Sequence, residues 1–311
     1  MISLSRQHRL GWIGLGRMGY AMAERLAKAG ADLRGYNRTR ARAESLTVTG
    51  VALVERPVEL ADCDIVFTMV STADALKSVT IGNDGLFSRK GQSPKILVEL
   101  STISPEASAE VRSLAAVCGT EMLVVPVSGN DVVARAGKLS VMASGPRSAF
   151  DTVSPYLSCF GPNVTYVGDA EVARIVKICH NLYLGIAYEG LAEVTLLAEK
   201  HGVPRHVFLD VMNKSVLGST FSRYKTPVIA NLDYTVTFTS TLMMKDLDLG
   251  LKAAKESGVA LPVTQVVRDI VQACIDDGRS EEDYTIILDK LAQYSGMELK
   301  SEKAGVTDGL S

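Results

Sequence analysis

The chain has 311 residues, enough for two domains, and its 47% hydrophobic and 22% charged composition excludes a largely disordered protein. Its 33 Lys and Arg against 35 Asp and Glu leave a net charge of −2, which excludes a global attraction for nucleic acid or an anionic membrane. No apolar run approaches the ~18 residues of a membrane span, and the opening MISLSRQHRL lacks the apolar core of a secretory signal, so no membrane insertion and no export are expected.

In chain order, residues 9–14 read as a short buried strand ending in glycine. Residues 18–30 read as a helix, with Met18, Ala21, Met22, Leu26 and Ala27 at three- and four-residue spacing and Gly30 as its C-cap. A strand at 31–36, a helix at 38–46 and a strand near 50–54 follow. DIVFTMV at 64–70 is the continuous apolar run of a strand covered on both faces. A helix starts at 72, strands stand at 95–100 and 121–125 with a helix at 105–118 between them, and a strand at 138–143 closes the series. This alternation predicts an α/β fold, with an N-terminal Rossmann doubly wound, mostly parallel sheet over residues 1–167. After Gly168 the pattern becomes helical, beginning with one long stretch at 171–200 that joins the halves. Further helices are expected at 204–212, 243–257, 262–276 and 280–295, giving a C-terminal all-α domain over 168–295. Residues 296–311 are polar and expected to be a disordered tail.

The segment after the first strand carries Gly14-Leu15-Gly16-Arg17-Met18-Gly19, a G-x-G-x-x-G. The first glycine permits the tight turn, the second a close approach of backbone to pyrophosphate, the third a close helix–strand packing. The helix N-terminus then presents its unpaired N–H groups to the phosphates. Its place, after a strand and opening a helix, makes the motif specific for a dinucleotide. The second strand ends in Tyr36-Asn37-Arg38-Thr39-Arg40, with no acid to bind ribose hydroxyls or repel a 2′-phosphate. Arg38 offers a guanidinium, and Asn37 and Thr39 add neutral hydrogen bonds, so NADP(H) is expected in preference to NAD(H).

Hydride transfer to or from an alcohol also needs a proton handled. On the long helix Lys177 interrupts the apolar stretch A-R-I-V-K-I-C, and Asn181 lies one turn on, on the same face. A lysine so placed is either snorkelling along an apolar surface or buried, with a lowered pKa suited to acid/base work. The five cysteines, odd in number and without a C-x-x-C, suit a reducing cytoplasm, and the four histidines show no metal-ligand spacing.

The ordered blocks GWIGLGRMG, LSTISPEAS, PVSGN followed by A-x-x-G-K-L, KICHN and KDLDL resemble the β-hydroxyacid dehydrogenase family, the group of 3-hydroxyisobutyrate dehydrogenase and the tartronate, glyoxylate and succinic semialdehyde reductases. The resemblance runs from about residue 10 to about 295. It implies that Lys177 is the catalytic lysine and that Asn181 keeps substrate and lysine in register. It further implies that Ser128 and Gly129 bind the substrate carboxylate, and that Thr102 contacts the cofactor near the nicotinamide. Met69 and Val70 would line the adenosine side, Lys245 would reach the nicotinamide end with Asp246 beside it, and Phe238 would close the pocket. Two positions depart from the family pattern, Asn130 in place of a second glycine and His180 in place of a first asparagine; both add a group near the expected substrate.

The expected activity is therefore hydride transfer between NADP(H) and a small β-hydroxy acid or its semialdehyde, by an enzyme acting on CH–OH groups, with a homodimer or homotetramer formed through the helical half. The alternatives are an imine reductase of the same fold, which the retained Lys177 argues against, and a catalytically silent dinucleotide-binding scaffold. The length argues against 6-phosphogluconate dehydrogenase itself, with its much larger helical domain.

Overall fold

In the computed structural model, which describes residue 4 and residues 7–309, the chain divides into two compact units, Met1–Lys177 and Ile178–Ser311. Half of the segment expected to lack an export signal lies outside the described residues.

The first unit is built on β1 (Arg9–Ile13), β2 (Asp32–Tyr36), β3 (Ala52–Leu53), β4 (Ile65–Thr68), β5 (Ile96–Glu99), β6 (Glu121–Val124), β7 (Val127–Ser128), β8 (Ser140–Ser144) and β9 (Asn163–Gly168). They form one sheet in the order β3-β2-β1-β4-β5-β6-β8-β7, with β9 pairing β8. The strands from β3 to β6 are all parallel; β8 runs antiparallel to β6 and β7, and β9 parallel to β8. Every residue of β4 and β5 is buried, as continuous apolar runs covered on both faces require. Trp12 of β1 stacks on Phe67 of β4 at 5.3 Å, with Phe160 edge-on to both.

The helices of this unit are α1 (Arg17–Lys28), α2 (Ala73–Ile81), α3 (Pro105–Val117), α4 (Asp131–Arg135) and α5 (Arg147–Leu157). Thr72 and Ser104 cap α2 and α3 through their side-chain oxygens, and Pro105 occupies the first turn of α3, where its missing N–H costs nothing. The helix expected at 38–46 does not form. Two 3-10 segments, Arg40–Arg42 and Glu44–Thr49, stand there instead. The Thr47 and Thr49 hydroxyls donate to the carbonyls of Glu44 and Leu46, three residues back, and Gly50 ends the segment at φ +90°. The pattern also gave no notice of α4, α5 or β9; α5 contains Pro155, and β9 alternates between exposed and partly covered residues.

The helix α6 (Val172–Lys200) runs across the division between the units. In the second unit follow α7 (Arg205–Lys214), α8 (Thr220–Asn231), α9 (Ser240–Ser257), α10 (Pro262–Asp276) and α11 (Ile287–Tyr294). They enclose a core that includes Tyr188, Leu209, Met243, Leu247, Val267 and Ile287. The periodicity missed α8, which carries Pro227 in its interior; a reciprocal Ser219–Ser222 capping box starts it. The helix expected at 280–295 is shorter, because buried Asp283 accepts hydrogen bonds from the Thr285 N–H and hydroxyl and turns the chain into a 3-10 segment, Tyr284–Ile286, before α11.

The tail expected to be disordered is held in place as far as it is described. Glu302 accepts from the backbone N–H groups of Arg205 and His206 at the start of α7 and pairs with the His206 ring. The fully buried Arg205 guanidinium donates to the Lys300 carbonyl, and Asn231 exchanges two hydrogen bonds with Ala304. A carboxylate at an α-helix N-terminus satisfies groups that composition alone cannot reveal.

Candidate active site

Within the first unit the expected dinucleotide residues gather at the C-terminal ends of β1, β2, β4 and β5. Gly14 lies at φ +93°, and a Cβ on it would stand 2.2 Å from the Met69 carbonyl. A Cβ on Gly19 would meet the Gly14 carbonyl at 2.0 Å, so the helix packs on the strand only because that position is glycine. In front of Gly16, by contrast, there is nothing within 4 Å. Gly16 is the N-cap of α1 and caps no N–H with a side chain, as an approaching phosphate requires. This loop fits a pyrophosphate: two glycines are dictated by packing and one by open space. Leu15, Arg17 and Met18 complete the turn and the start of α1.

Asn37 has a part in the fold itself. Its Oδ1 accepts from the Leu15 N–H at 3.0 Å and its Nδ2 donates to the Thr39 carbonyl, so it braces the glycine loop from the end of β2. Arg38 and Thr39 are exposed beside it, whereas Arg40 is committed to Glu55 and Glu44. The Val70 N–H donates to the Ser101 hydroxyl at 2.9 Å, which joins Met69 and Val70 to the loop bearing Thr102.

Ser128 ends β7, and Gly129 follows at φ +125°, where a Cβ would collide with Leu139 and Val133. Asn130 is the N-cap of α4: its Oδ1 accepts from the Val133 N–H at 3.0 Å. The departure from the family pattern at this position thus has a local structural reason, a capped helix start.

The first turn of α6 is anchored by ion pairs. Glu171 takes Arg174 at 2.9 Å and Arg112 at 2.6 Å; burial pushes its carboxyl up, and the two guanidinium groups outweigh that and hold it below the usual range. One turn after Arg174 comes Lys177, with 9% of its surface exposed.

In the second unit Asn181 is buried, and its Nδ2 donates to Asp246 Oδ2 at 2.5 Å, while its Oδ1 faces His180 Nδ1 at 3.0 Å. Asp246 is itself 2% exposed. Lys245 Nζ stands 3.4 Å from its Oδ1, an atom with no hydrogen bond of its own. Asp246 thereby joins the candidate site residues Asn181 and Lys245, although reasoning from sequence named it only as a neighbour of Lys245; the one available signal was its place in KDLDL. An open groove of about 470 Å³ runs along α9 beside Lys245, lined also by Thr241, Met244, Asp248, Leu249 and Lys252. The Phe238 ring packs edge-on against Tyr284 at 5.9 Å. Its backbone N–H donates to Asp283, whose carboxyl burial pushes up but Lys225 and the N–H groups of Thr237 and Phe238 bring below the usual range.

Among the described residues no group of His, Cys, Asp and Glu is arranged to hold a metal ion, and no helix is long and apolar enough to cross a membrane.

Comparison with known proteins follows the same division. Residues 9–168 match the NAD binding domain of 6-phosphogluconate dehydrogenase, and residues 172–291 match the family described as NAD-binding of NADP-dependent 3-hydroxyisobutyrate dehydrogenase. The chain is 32% identical to a probable mitochondrial 3-hydroxyisobutyrate dehydrogenase of Dictyostelium discoideum, over 93% of this chain and 92% of that one. It is 30% identical to 2-(hydroxymethyl)glutarate dehydrogenase of Eubacterium barkeri, over 95% and 99%. Among solved structures, 3-hydroxyisobutyrate dehydrogenase from Salmonella typhimurium superposes with a TM-score of 0.80 at 28% identity, covering 90% of this chain and 99% of that one. The dinucleotide loop, the two-unit α/β and all-α architecture and these relatives agree that the chain belongs to the β-hydroxyacid dehydrogenase family, pyridine-nucleotide-dependent oxidoreductases that act on CH–OH groups.

Proposed function

We propose that this enzyme interconverts a small β-hydroxy acid and its semialdehyde with NADP(H), using Lys177 as general acid/base. The observation that carries the reading is the burial of Lys177 one helical turn before Asn181, an amide held by the buried carboxylate of Asp246. A bound nicotinamide supplies or accepts the hydride. Lys177 takes the hydroxyl proton on oxidation and returns it on reduction, and its charge stabilises the alkoxide as it develops. Asn181 orients substrate and amine. The amide is held for this by Asp246 at its Nδ2 and His180 at its Oδ1.

Ser128 and the backbone at Gly129 bind the carboxylate, Thr102 borders the nicotinamide, and Met69 and Val70 line the adenosine side. Lys245 reaches the cofactor along its groove on α9, and Phe238 closes the apolar side of the substrate. His180, against Asn181, tunes the substrate end. Preference for NADP(H) is supported by the absence of an acid at the end of β2, by exposed Arg38 and by the description of the family matched at residues 172–291. A reducing compartment such as the cytoplasm suits three buried thiols, Cys63, Cys159 and Cys274, whose ionisation burial disfavours.

The test is a panel assay on the purified protein: NADP⁺ reduction by small 3-hydroxy acids, and NADPH oxidation by semialdehydes and by cyclic imines. Turnover of the acids and semialdehydes is the expected result. Oxidation with imines alone would replace this reading by an imine reductase, and NADPH binding with no turnover by a silent scaffold.

A further inference from the structure

Arg174 is the least expected residue of the first unit. It sits in the first turn of α6, where a cation opposes the helix dipole, and only 2% of it is exposed. Such a placement persists only where specific partners offset it. The partners are all present. Nε donates to Glu171 Oε2 at 2.9 Å. One terminal nitrogen donates to the Ser101 carbonyl at 3.1 Å and the Ile103 carbonyl at 3.3 Å. The other donates to Glu99 Oε2 and to the Ser108 hydroxyl, each at 2.9 Å. A guanidinium has five N–H donors, and five acceptors meet them.

The acceptors are not scattered. The two carbonyls flank Thr102, one on each side. Glu99, fully buried at the end of β5, uses its other oxygen to accept the Ser101 N–H at 2.6 Å. The Ser101 hydroxyl in turn accepts from Val70. The loop that presents Thr102 is thus clamped on both sides by a planar group rooted one helical turn before Lys177. On the α6 side, the Ser144 hydroxyl accepts the Ala173 N–H at 3.0 Å and donates to the Ala170 carbonyl, so the first turn of the helix is itself fixed to β8.

We infer that Arg174, with Glu99, is a positioning residue for the reaction: its fork sets the place of the Thr102 loop relative to the helical turn that carries the catalytic lysine. The inference rests on the roles proposed for Lys177 and Thr102. Hydride transfer demands that donor and acceptor be held to fractions of an ångström, and a misplacement near 1 Å costs about a hundredfold in rate. A lysine at 174 would keep the charge but bring three donors on a flexible stem in place of five in a plane, leaving the carbonyls beside Thr102 unheld.

The experiment compares Arg174→Lys with Arg205→Lys. Arg205 is an equally buried arginine in the second unit, bonded to Glu199 and to the Ile229, Ala230 and Lys300 carbonyls. Both variants should lose thermal stability. At a temperature where each is folded, Arg174→Lys should lower kcat about tenfold or more and raise the primary deuterium isotope effect with 4-deuterated NADPH. The substrate KM and NADPH Kd should stay within about threefold. Arg205→Lys should keep kcat and isotope effect. Equal kcat in the two folded variants would overturn the inference. Should Arg174→Lys fail to fold, Glu99→Gln, which keeps shape but weakens the pair, decides on the same two readouts: a fall in kcat supports the role and an unchanged kcat and isotope effect reject it. Lys177→Ala, run in parallel, separates the two levels. If it loses turnover while Arg174→Lys and Glu99→Gln do not, only the positioning role fails; if it keeps turnover, the underlying mechanism fails.

Discussion

The Asn181 amide donates to the Asp246 carboxylate at 2.5 Å, between α6 and α9, with both side chains buried. Replacing Asp246 by alanine leaves a buried amide N–H without its acceptor, at a cost of about 1–3 kcal/mol. It also frees the Asn181 side chain to rotate. We expect Asp246→Ala to lower kcat about tenfold or more, measured below its own unfolding midpoint, with NADPH affinity little changed. Unchanged kcat in a folded variant would remove the Asn181–Asp246 bond from the mechanism.

Arg38 is exposed at the end of β2, while its neighbour Arg40 is occupied by Glu55. A charge-assisted hydrogen bond contributes about 1.5–3 kcal/mol. Arg38→Asp should therefore weaken NADPH by about ten- to a hundredfold and NADH far less, read by fluorescence titration of each. Equal losses would mean that Arg38 does not meet the 2′-phosphate.

The second unit leaves Tyr183, Leu197 and Val211 largely exposed, at 70%, 61% and 60%. Apolar surface of this kind on α6 and α7 is the ground for expecting self-association. Sedimentation equilibrium at micromolar concentration should give a dimer or tetramer, and Leu197→Glu should shift it toward monomer. A wild-type monomer would contradict the expectation.

Glu189 on α6 is pushed up to about 7, by burial first and then by its hydrogen bond and charge interaction with Glu193. Its folded value lies above the unfolded 4.5, so the folded state holds the proton more tightly. The stabilisation is complete below 4.5 and is lost as pH rises through about 7. The melting temperature of the wild type should fall across that window. Glu189→Gln, which cannot ionise and can still donate to Glu193, should flatten the fall; a slope the same in both proteins would assign it elsewhere.

Much of this architecture was legible because it depends on local chemistry. Gly14, Gly16 and Gly19 are required by a turn, an open approach and a tight packing that hardly vary, and the apolar runs of β4 and β5 admit only strands covered on both faces. Long-range partners were not legible. Asp246 reads as a surface charge beside Lys245 until α9 packs on α6, and Arg174 reads as an unremarkable basic residue until β5 and its loop surround it. Asn130 looked like an addition to the substrate site and caps α4. The tail looked unstructured because its anchor is one carboxylate, Glu302, set against the N-terminus of a helix about 100 residues earlier in the chain. Residues 38–46 form 3-10 turns instead of the expected α-helix, and at their C-terminal end the Thr47 and Thr49 hydroxyls take the Glu44 and Leu46 carbonyls, local bonds that the apolar spacing conceals.

The most direct test is Lys177→Ala, assayed for turnover of a small β-hydroxy acid with NADP⁺ and, on the same preparation, for NADPH binding. General acid/base catalysis by this amine predicts a fall in kcat of about a hundredfold or more with the NADPH Kd essentially kept. A variant that turns over at the wild-type rate would show that the proton moves through another group.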